Sequence, residues 1–508
     1  MSQQQEIEIL FPQNISQSFL SILLQHSLAA TLTFQQAVKN LMSEDFALIH
    51  YGLISIGKSI QYFSHQQEDI GDQQKEHLIT IIQQILQVQM PECLQYCAIN
   101  VLFVLLNVFD PQHQLLIKKL SFESLCQIYN KDATGLFHNK IIIIFGILSK
   151  LDNNTPFQLH KCCNIQQRLE KITSLYDSIN YLQALKIFCK EAPQCYKSMT
   201  LDFIKTKLKV IKTQQMSVCN TNQISNLSLR TLKQFIHKIT ISIIKNLMKI
   251  ESPVIDQQLL TMWDEVIVIW VDDHQNNLEC SVIQIVLEYI QKINFPKEKI
   301  EDKVFQDRLL LNLDQDSTLK LFETLQIYQY LIKQFSFCIA NDEFFKKLMQ
   351  ICQNSQSPIY TTLILKIIIQ MIKSQKFIPE YLPKLQQFNI IGLLPEYLDE
   401  VVFIIEKLQP CSHLSVFFKQ KQQIELKFAK CVMKLVTLIL KNNKLIDVFK
   451  TEIAQFESVF LSERCQNLIH QIHNQKIQEK LILIIELLQN NKSYQHYEAT
   501  DNKKIKLN

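Results

Sequence analysis

The sequence predicts an all-α chain built of stacked helical hairpins, and three observations predict it. The 508 residues include only six glycines, where average usage would supply roughly thirty-five. Sheet proteins of this length need glycines at tight turns that require positive φ, whereas helices joined by short polar loops do not. Apolar residues make up 47% of the chain and recur at helical rather than alternating spacing. Similar apolar segments return at intervals of roughly 40–48 residues, the period of a helical repeat. The length exceeds what one compact core holds, so the chain is expected to form two or three domains or one elongated array.

The repeat is read first in "CAINVLFVLLNVFDP" (97–111) and "NKIIIIFGILSKLDN" (139–153), which superpose at an offset of 42. Ile99 meets Ile141, Leu102 meets Ile144, Phe103 meets Phe145 and Leu106 meets Leu148. Such segments are apolar nearly all round, which implies burial between neighbouring helices. Downstream, Leu325, Ile327, Leu331, Ile332 and Lys333 meet Leu365, Ile367, Met371, Ile372 and Lys373 at an offset of 40. Leu435, Val436, Ile439 and Leu440 meet Leu483, Ile484, Leu487 and Leu488 at 48. Prolines from Pro91 to Pro395 punctuate the chain at similar intervals.

In period and apolar pattern the chain resembles the armadillo and HEAT repeat family over most of residues 15–490. The resemblance implies a right-handed α-solenoid with a concave binding face, working as an adaptor or transport receptor. It does not extend to the tryptophan and asparagine ladder of the armadillo import receptors. The only tryptophans here are Trp263 and Trp270, seven residues apart.

The expected organisation is an N-terminal half of the solenoid over 1–212, a polar connecting loop over 213–228, a C-terminal half over 229–490 and a disordered tail over 491–508. The loop is read from "TQQMSVCNTNQISNLS", which lacks apolar periodicity. The tail carries Lys503, Lys504 and Lys506, taken as a frayed terminus rather than a nuclear signal.

One motif competes with this reading. Gly52, Gly57, Lys58 and Ser59 satisfy G-x-x-x-x-G-K-[ST], by which phosphate loops hold nucleotides. "VIVIWVDD" (266–273) offers an apolar run ending in acids, as a magnesium-holding strand would. A phosphate cradle turns backbone N–H groups inward on small residues, but the intervening Leu53, Ile54, Ser55 and Ile56 are mostly bulky and branched. An offset of 46 instead lays Gly52, Leu53 and Ile56 over Ala98, Ile99 and Leu102, making Gly52 a small residue at a close helix approach. Gly57 has no such role, and a local kink is the expectation there. The helix is the preferred reading, and a P-loop NTPase is the alternative.

Other clusters read as packing. His160, Cys162 and Cys163 lack a fourth metal ligand at finger spacing, and Cys93 with Cys97 lacks a partner pair. Cys465, His470 and His473 are taken as helix residues, and Asp272, Asp273 and His274 as a solvated helix end. Fourteen cysteines without a C-x-x-C pair suit reduced thiols in the cytoplasm or nucleus. The acidic start "MSQQQEIEIL" gives no export signal. The longest apolar run, Ile141–Leu148, is eight residues, short of the roughly eighteen that span a bilayer. No catalytic residues, cofactor, metal or small-molecule substrate are expected.

The charge is uneven. Residues 197–249 hold ten basic side chains against the single acid Asp202. Residues 250–302 hold eleven acids against three lysines, although the whole chain carries only +4. The basic block assigns Lys205, Lys207, Lys209, Lys212, Arg230, Lys233, Lys238, Lys245 and Lys249 to a patch for an acidic partner, unless the acidic block neutralises it. All but four of the 52 basic residues are lysine, and the planar fork that reads bases belongs to arginine. Sequence-specific nucleic-acid recognition is therefore not expected. The functional expectation is a non-catalytic scaffold that binds protein partners along a concave face, with a sequence-indifferent nucleic-acid binder as a further alternative.

Overall fold

The computed structural model describes residues 34–505 except 67–71, 88–89, 109, 133–134, 136, 219–222, 251–254, 273–277, 293, 315–317, 336–340, 355–356, 375–380, 408–415 and 473. Among the described residues there is no strand, and the chain divides between Ile269 and Trp270 into two units.

The first unit contains α1 (Phe34–Leu41), α2 (Phe46–Gln66), α3 (Asp72–Gln87), α4 (Glu92–Val108), α5 (Pro111–Lys131), α6 (His138–Leu151), α7 (Thr155–Cys162) and α8 (Ile165–Lys171). It continues with α9 (Leu175–Glu191), α10 (Pro193–Val218), α11 (Gln223–Ile250), α12 (Gln257–Leu260) and the start of α13 (Trp263–Asp272). Helices α2, α4, α6, α9 and α11 pack each on the next as one layer, and α3, α5 and α10 form the backing of their hairpins. The layer helices begin at Phe46, Glu92, His138, Leu175 and Gln223, intervals of 46, 46, 37 and 48 residues. This is a helical-repeat array, as the sequence period predicts. The matched apolar residues are its core: Ile99, Leu102, Leu105, Ile141, Ile144, Phe145 and Leu148 are all inaccessible to solvent. A layer helix has a neighbour on each flank and a hairpin partner behind it, which is why α6 can carry four successive isoleucines.

Local chemistry sets the helix ends. The Asp110 carboxylate accepts from the N–H groups of Gln112 and His113, both at 3.0 Å, and Pro111 follows at the first helical position of α5. Ser174 caps α9 in the same way. Between α5 and α6, Asp132 accepts from the N–H groups of Gly135 (2.9 Å) and Phe137 (2.8 Å), and the turn is completed by Gly135 at φ +83°. His138 opens α6 from a buried position, its Nε2 3.0 Å from the Tyr129 carbonyl and 3.6 Å from Asp132. Burial lowers its pKa below the ordinary histidine value, although Asp132 acts in the opposite sense. The unfolded chain therefore takes up this proton first as pH falls. Stability contributed by neutral His138 is expected to be complete above about pH 6.5 and to be lost as pH drops through the lowered folded value. Melting curves between pH 8 and 5 check this, and His138→Gln should flatten the decline.

The second unit contains α14 (Leu278–Gln291), α15 (Lys297–Ile300), α16 (Lys303–Leu311), α17 (Thr318–Phe335), α18 (Asp342–Asn354), α19 (Pro358–Lys373) and α20 (Leu382–Gln387). It ends with α21 (Leu394–Lys407), α22 (Val416–Leu440), α23 (Asn443–Val448), α24 (Lys450–Phe460), α25 (Glu463–Ile469) and α26 (Gln475–Ile505). Its layer runs α14, α17, α19, α22, α26, each packed on the next. Helices α17 and α19 begin 40 residues apart, at Thr318 and Pro358, matching the offset read from the sequence.

Helices run into the described parts of the two stretches expected to be irregular. The segment 213–228 is α10 as far as Val218 and α11 from Gln223, leaving 219–222 outside the described residues. The segment 491–508 is α26 as far as Ile505. Neither stretch contains glycine or proline, so nothing in the backbone stops the preceding helix, and glutamine, lysine and methionine are good helix formers.

Candidate functional site

The basic block lies on two helices of the first unit, α10 and α11, and its members differ in what they do. Lys207 is 3% exposed. Its ammonium donates to the Ile172 carbonyl and lies 4.8 Å from the Phe203 ring centroid. Burial lowers its pKa below the ordinary lysine value. Lys233 is also buried. These two belong to the interior and not to a docking patch, because the long apolar stem of lysine packs like a hydrophobic side chain. Lys205 donates to Thr261 Oγ1 at 2.7 Å, at the end of α12.

The acidic block does engage the basic one in part. Lys197 Nζ lies 3.2 Å from Asp256, the residue that caps α12. Burial opposes ionisation of Asp256, but the Lys197 ammonium and the N–H groups of Gln258 and Leu259 outweigh it and leave the pKa below the usual carboxylate range. What remains on the surface is Lys209 and Lys212 on α10, and Arg230, Lys238 and Lys249 on α11, with Lys245 half-buried. Phe235, Lys238, Lys245 and Lys249 are spaced at three, seven and four residues and so share one stripe of α11. Phe235 is 49% exposed.

The phosphate-loop spacing lies inside α2, which runs unbroken from Phe46 to Gln66. The N–H groups of a continuous helix are committed to its own carbonyls, so Gly52 and Gly57 offer no cradle. The side chains of Lys58 and Ser59 lie outside the described residues. The supposed partner strand at 266–273 is helix α13 through Asp272, with Asp273 outside the described residues. A Cβ on Gly52 would sit 2.8 Å from the Ala37 carbonyl oxygen, so the close approach inferred from Ala98 is real. A Cβ on Gly57 would meet only Val101 at 3.8 Å, and the helix has no break there.

The remaining candidates are dispersed. His160 is exposed and stands edge-on to Tyr196, with ring centroids 5.6 Å apart. Cys162 is exposed, whereas Cys163 is buried beside Cys126, whose thiol is pushed up by its hydrogen bond with Cys163 and by burial. Burial, with a smaller effect of Cys93, pushes the Cys97 thiol up to about 12. Cys465 is buried and His470 exposed, while His473 and His274 lie outside the described residues. Asp72, Asp110 and His113 form a cluster the sequence does not reveal, their ligand atoms within 4.8 Å of one another. His113 Nδ1 is 2.8 Å from Asp110 and its Nε2 3.7 Å from Asp72. With Lys75 Nζ 3.1 Å from the same Asp72 oxygen, the cluster already has its own cation and ties the first turns of α3 and α5 together.

No protein-family model matches the chain, and no curated protein matches it. Solved structures do match. The chain is similar to importin beta in a crystal structure from an ammonium sulfate condition, with 9% identity and a TM-score of 0.38, covering 90% of this chain and 52% of that one. It is similar to Kap95p from a structure concerned with how its binding induces the switch loops of RanGDP to adopt the GTP-bound conformation. There the identity is 12% and the TM-score 0.45, over 95% of this chain and 64% of that one. Yeast importin-beta (Kap95p) gives 11% and 0.31, over 93% and 64%. The chain thus spans between 52% and 64% of the length of the solved chains it matches. No helix among the described residues is long and apolar enough to cross a membrane.

Proposed function

We propose that the chain is a non-catalytic helical-repeat scaffold that binds protein partners on the exposed faces of its helix layers, and that α10 and α11 contribute a contact for an acidic segment of a partner. The observation that carries this reading is the α11 stripe, where a half-exposed phenylalanine stands among Lys238, Lys245 and Lys249 on a helix whose opposite face is core. An aromatic side chain supplies apolar area to an interface, and lysines around it select an acidic surround. The described cysteines are free thiols, many of them buried, which fits a reducing compartment such as the cytoplasm or nucleus.

The test is affinity purification of the tagged chain from native cells, in parallel with a variant carrying Lys209→Glu, Lys212→Glu, Lys238→Glu and Lys249→Glu. These positions avoid Lys207 and Lys233, whose reversal would bury a carboxylate. Exposed ion pairs contribute about 0.2–1 kcal/mol each, so the four reversals should weaken capture of a salt-sensitive partner roughly tenfold or more. A partner retained equally by both chains removes this patch from the function.

A further inference from the structure

Helix α21 carries an exposed stripe whose charge is opposite to that of α11. Leu398, Val401, Val402 and Ile405 are buried in the second unit, while Glu396, Asp399, Glu400 and Phe403 are exposed on the other side of the helix. At about 100° per residue, these acids and Glu406 all fall within about 60° of Phe403, so they share one face. Phe403 is 48% exposed, against 49% for Phe235 on α11. Each stripe thus sets one half-exposed phenylalanine among charges of a single dominant sign. Lys407, the one base of α21, holds its ammonium 3.8 Å from the Phe403 ring centroid, so the open ring face already accepts a cation.

The acids of this face differ in what balances them. Arg464 of α25 grips Glu406 in a fork, with Nε 2.6 Å from one carboxylate oxygen and Nη2 2.7 Å from the other. Among the described residues Glu396, Asp399 and Glu400 form no ion pair. Tyr397 ties α21 to α22, its ring edge-on to Phe428 with centroids 5.6 Å apart. Burial, and then Glu425 of α22, raise the Glu400 pKa above the usual glutamate value. An ammonium brought from outside relieves that repulsion.

We infer that the acidic segment met by the α11 stripe is the α21 face of a second copy of this chain, so that the chain self-associates through α11 on α21. The inference rests on the reading of α11 as a contact for an acidic segment, and it names that segment. Spacing along the two helices supports it. Lys238 and Lys245 follow Phe235 by about 4.5 and 15 Å, while Glu400, Asp399 and Glu396 precede Phe403 by about 4.5, 6 and 10.5 Å. With the phenylalanines face to face, an antiparallel crossing sets Lys238 beside Glu400 and Asp399, and the long Lys245 stem reaches toward Glu396. A parallel crossing would instead oppose Lys238 to Glu406, which Arg464 already holds. The contact joins two different patches, and each copy owns both, so no other protein is needed. One helix face on another is small beside the roughly 1,200–2,000 Å² of a stable interface. Association is therefore weak, reversible and suppressed by salt.

Sedimentation velocity of the full chain over roughly a hundredfold range of concentration tests it. The sedimentation coefficient is expected to rise with concentration at low salt and to stay at the monomer value at high salt. Two variants separate the stripes: Lys238→Glu with Lys249→Glu on α11, and Asp399→Lys with Glu400→Lys on α21. Glu396 is left in place because it lies in the first turn of α21, where a carboxylate favours the helix. Each variant alone should associate at least tenfold more weakly. An equimolar mixture of the two should associate as the unsubstituted chain does, because each reversed stripe then meets a reversed partner. A chain that is monomeric throughout, an association that either variant leaves unchanged, or a mixture that is not restored overturns the inference. A measurement on the unsubstituted chain guards against variants that fail to fold. Carbodiimide treatment of mixed heavy-isotope and light-isotope copies should join Lys238 or Lys245 of one isotope to residues 396–400 of the other, and the absence of such mixed pairs overturns the contact. Should the chain be monomeric while the α11 reversals still release a captured acidic protein, the second copy is overturned and the α11 reading stands.

Discussion

Glu279→Ala is expected to destabilise the second unit by about 3–5 kcal/mol, the loss typical of removing one partner from a buried ion pair. Glu279 is 1% exposed and opens α14. One of its oxygens is 2.6 Å from Arg308 of α16 and the other 2.5 Å from Lys320 of α17. With the Asn312 amide turned to donate, it adds a bond of 2.9 Å to Glu279, and its oxygen accepts from Trp270 Nε1 at 3.3 Å. One carboxylate thus fixes three elements that lie far apart in sequence. Without it the Arg308 guanidinium, itself 8% exposed, stays buried with no counter-charge. Burial already lowers the Arg308 pKa, against the pull of Glu279. Lys320 can turn its ammonium outward at less cost, so the guanidinium carries most of the loss. Hydrogen exchange of peptides from 278–335 is the appropriate measurement, because a chain of two units need not unfold in one step. Protection should fall there and not in peptides of the first unit. Replacing Glu279, Arg308 and Lys320 together by methionine should cost less than Glu279→Ala alone, since no charge is then left unpaired.

This network shows why the fold was more legible than its working surfaces. The helical class and the 40-residue and 46-residue offsets follow from apolar spacing, which is local and repeats along the chain. Partnership is not local. Glu279, Arg308 and Lys320 are spread over 42 residues, so counting charges in a window does not find their network. The same counting misjudged the basic block, where Lys207 and Lys233 count as surface charge although both are buried. It could not separate Lys197, already held by Asp256, from the exposed Lys209. Polar composition is a weak guide in a different way at 213–218, 223–228 and 491–505, into which α10, α11 and α26 run. A stretch without apolar periodicity reads as irregular, but lack of a buried face does not end a helix when glycine and proline are absent.

Gly52 and Gly57 give opposite expectations although they sit five residues apart in one helix. Alanine is a better helix former than glycine by roughly 0.5–1 kcal/mol, and that gain applies at both positions. At Gly57 nothing opposes it, because the added Cβ meets only a side-chain methyl of Val101 at ordinary distance. Gly57→Ala should therefore stabilise the first unit by about 0.5–1 kcal/mol. At Gly52 the same methyl group lies 2.8 Å from the Ala37 carbonyl oxygen, 3.0 Å from Leu41 Cδ2 and 3.2 Å from Asn40 Cβ. The first of these is backbone, so α1 as a whole has to move away from α2. Gly52→Ala should cost about 1–3 kcal/mol, the usual range for overpacking, despite the propensity gain. Protection of peptides from 34–57 against hydrogen exchange separates the two variants. If both shift protection in the same direction, the approach of α1 to α2 is not what holds Gly52. A motif built to cradle phosphate would require both glycines for one shared reason, so a change of sign between them identifies the spacing as two unrelated positions on a packed helix.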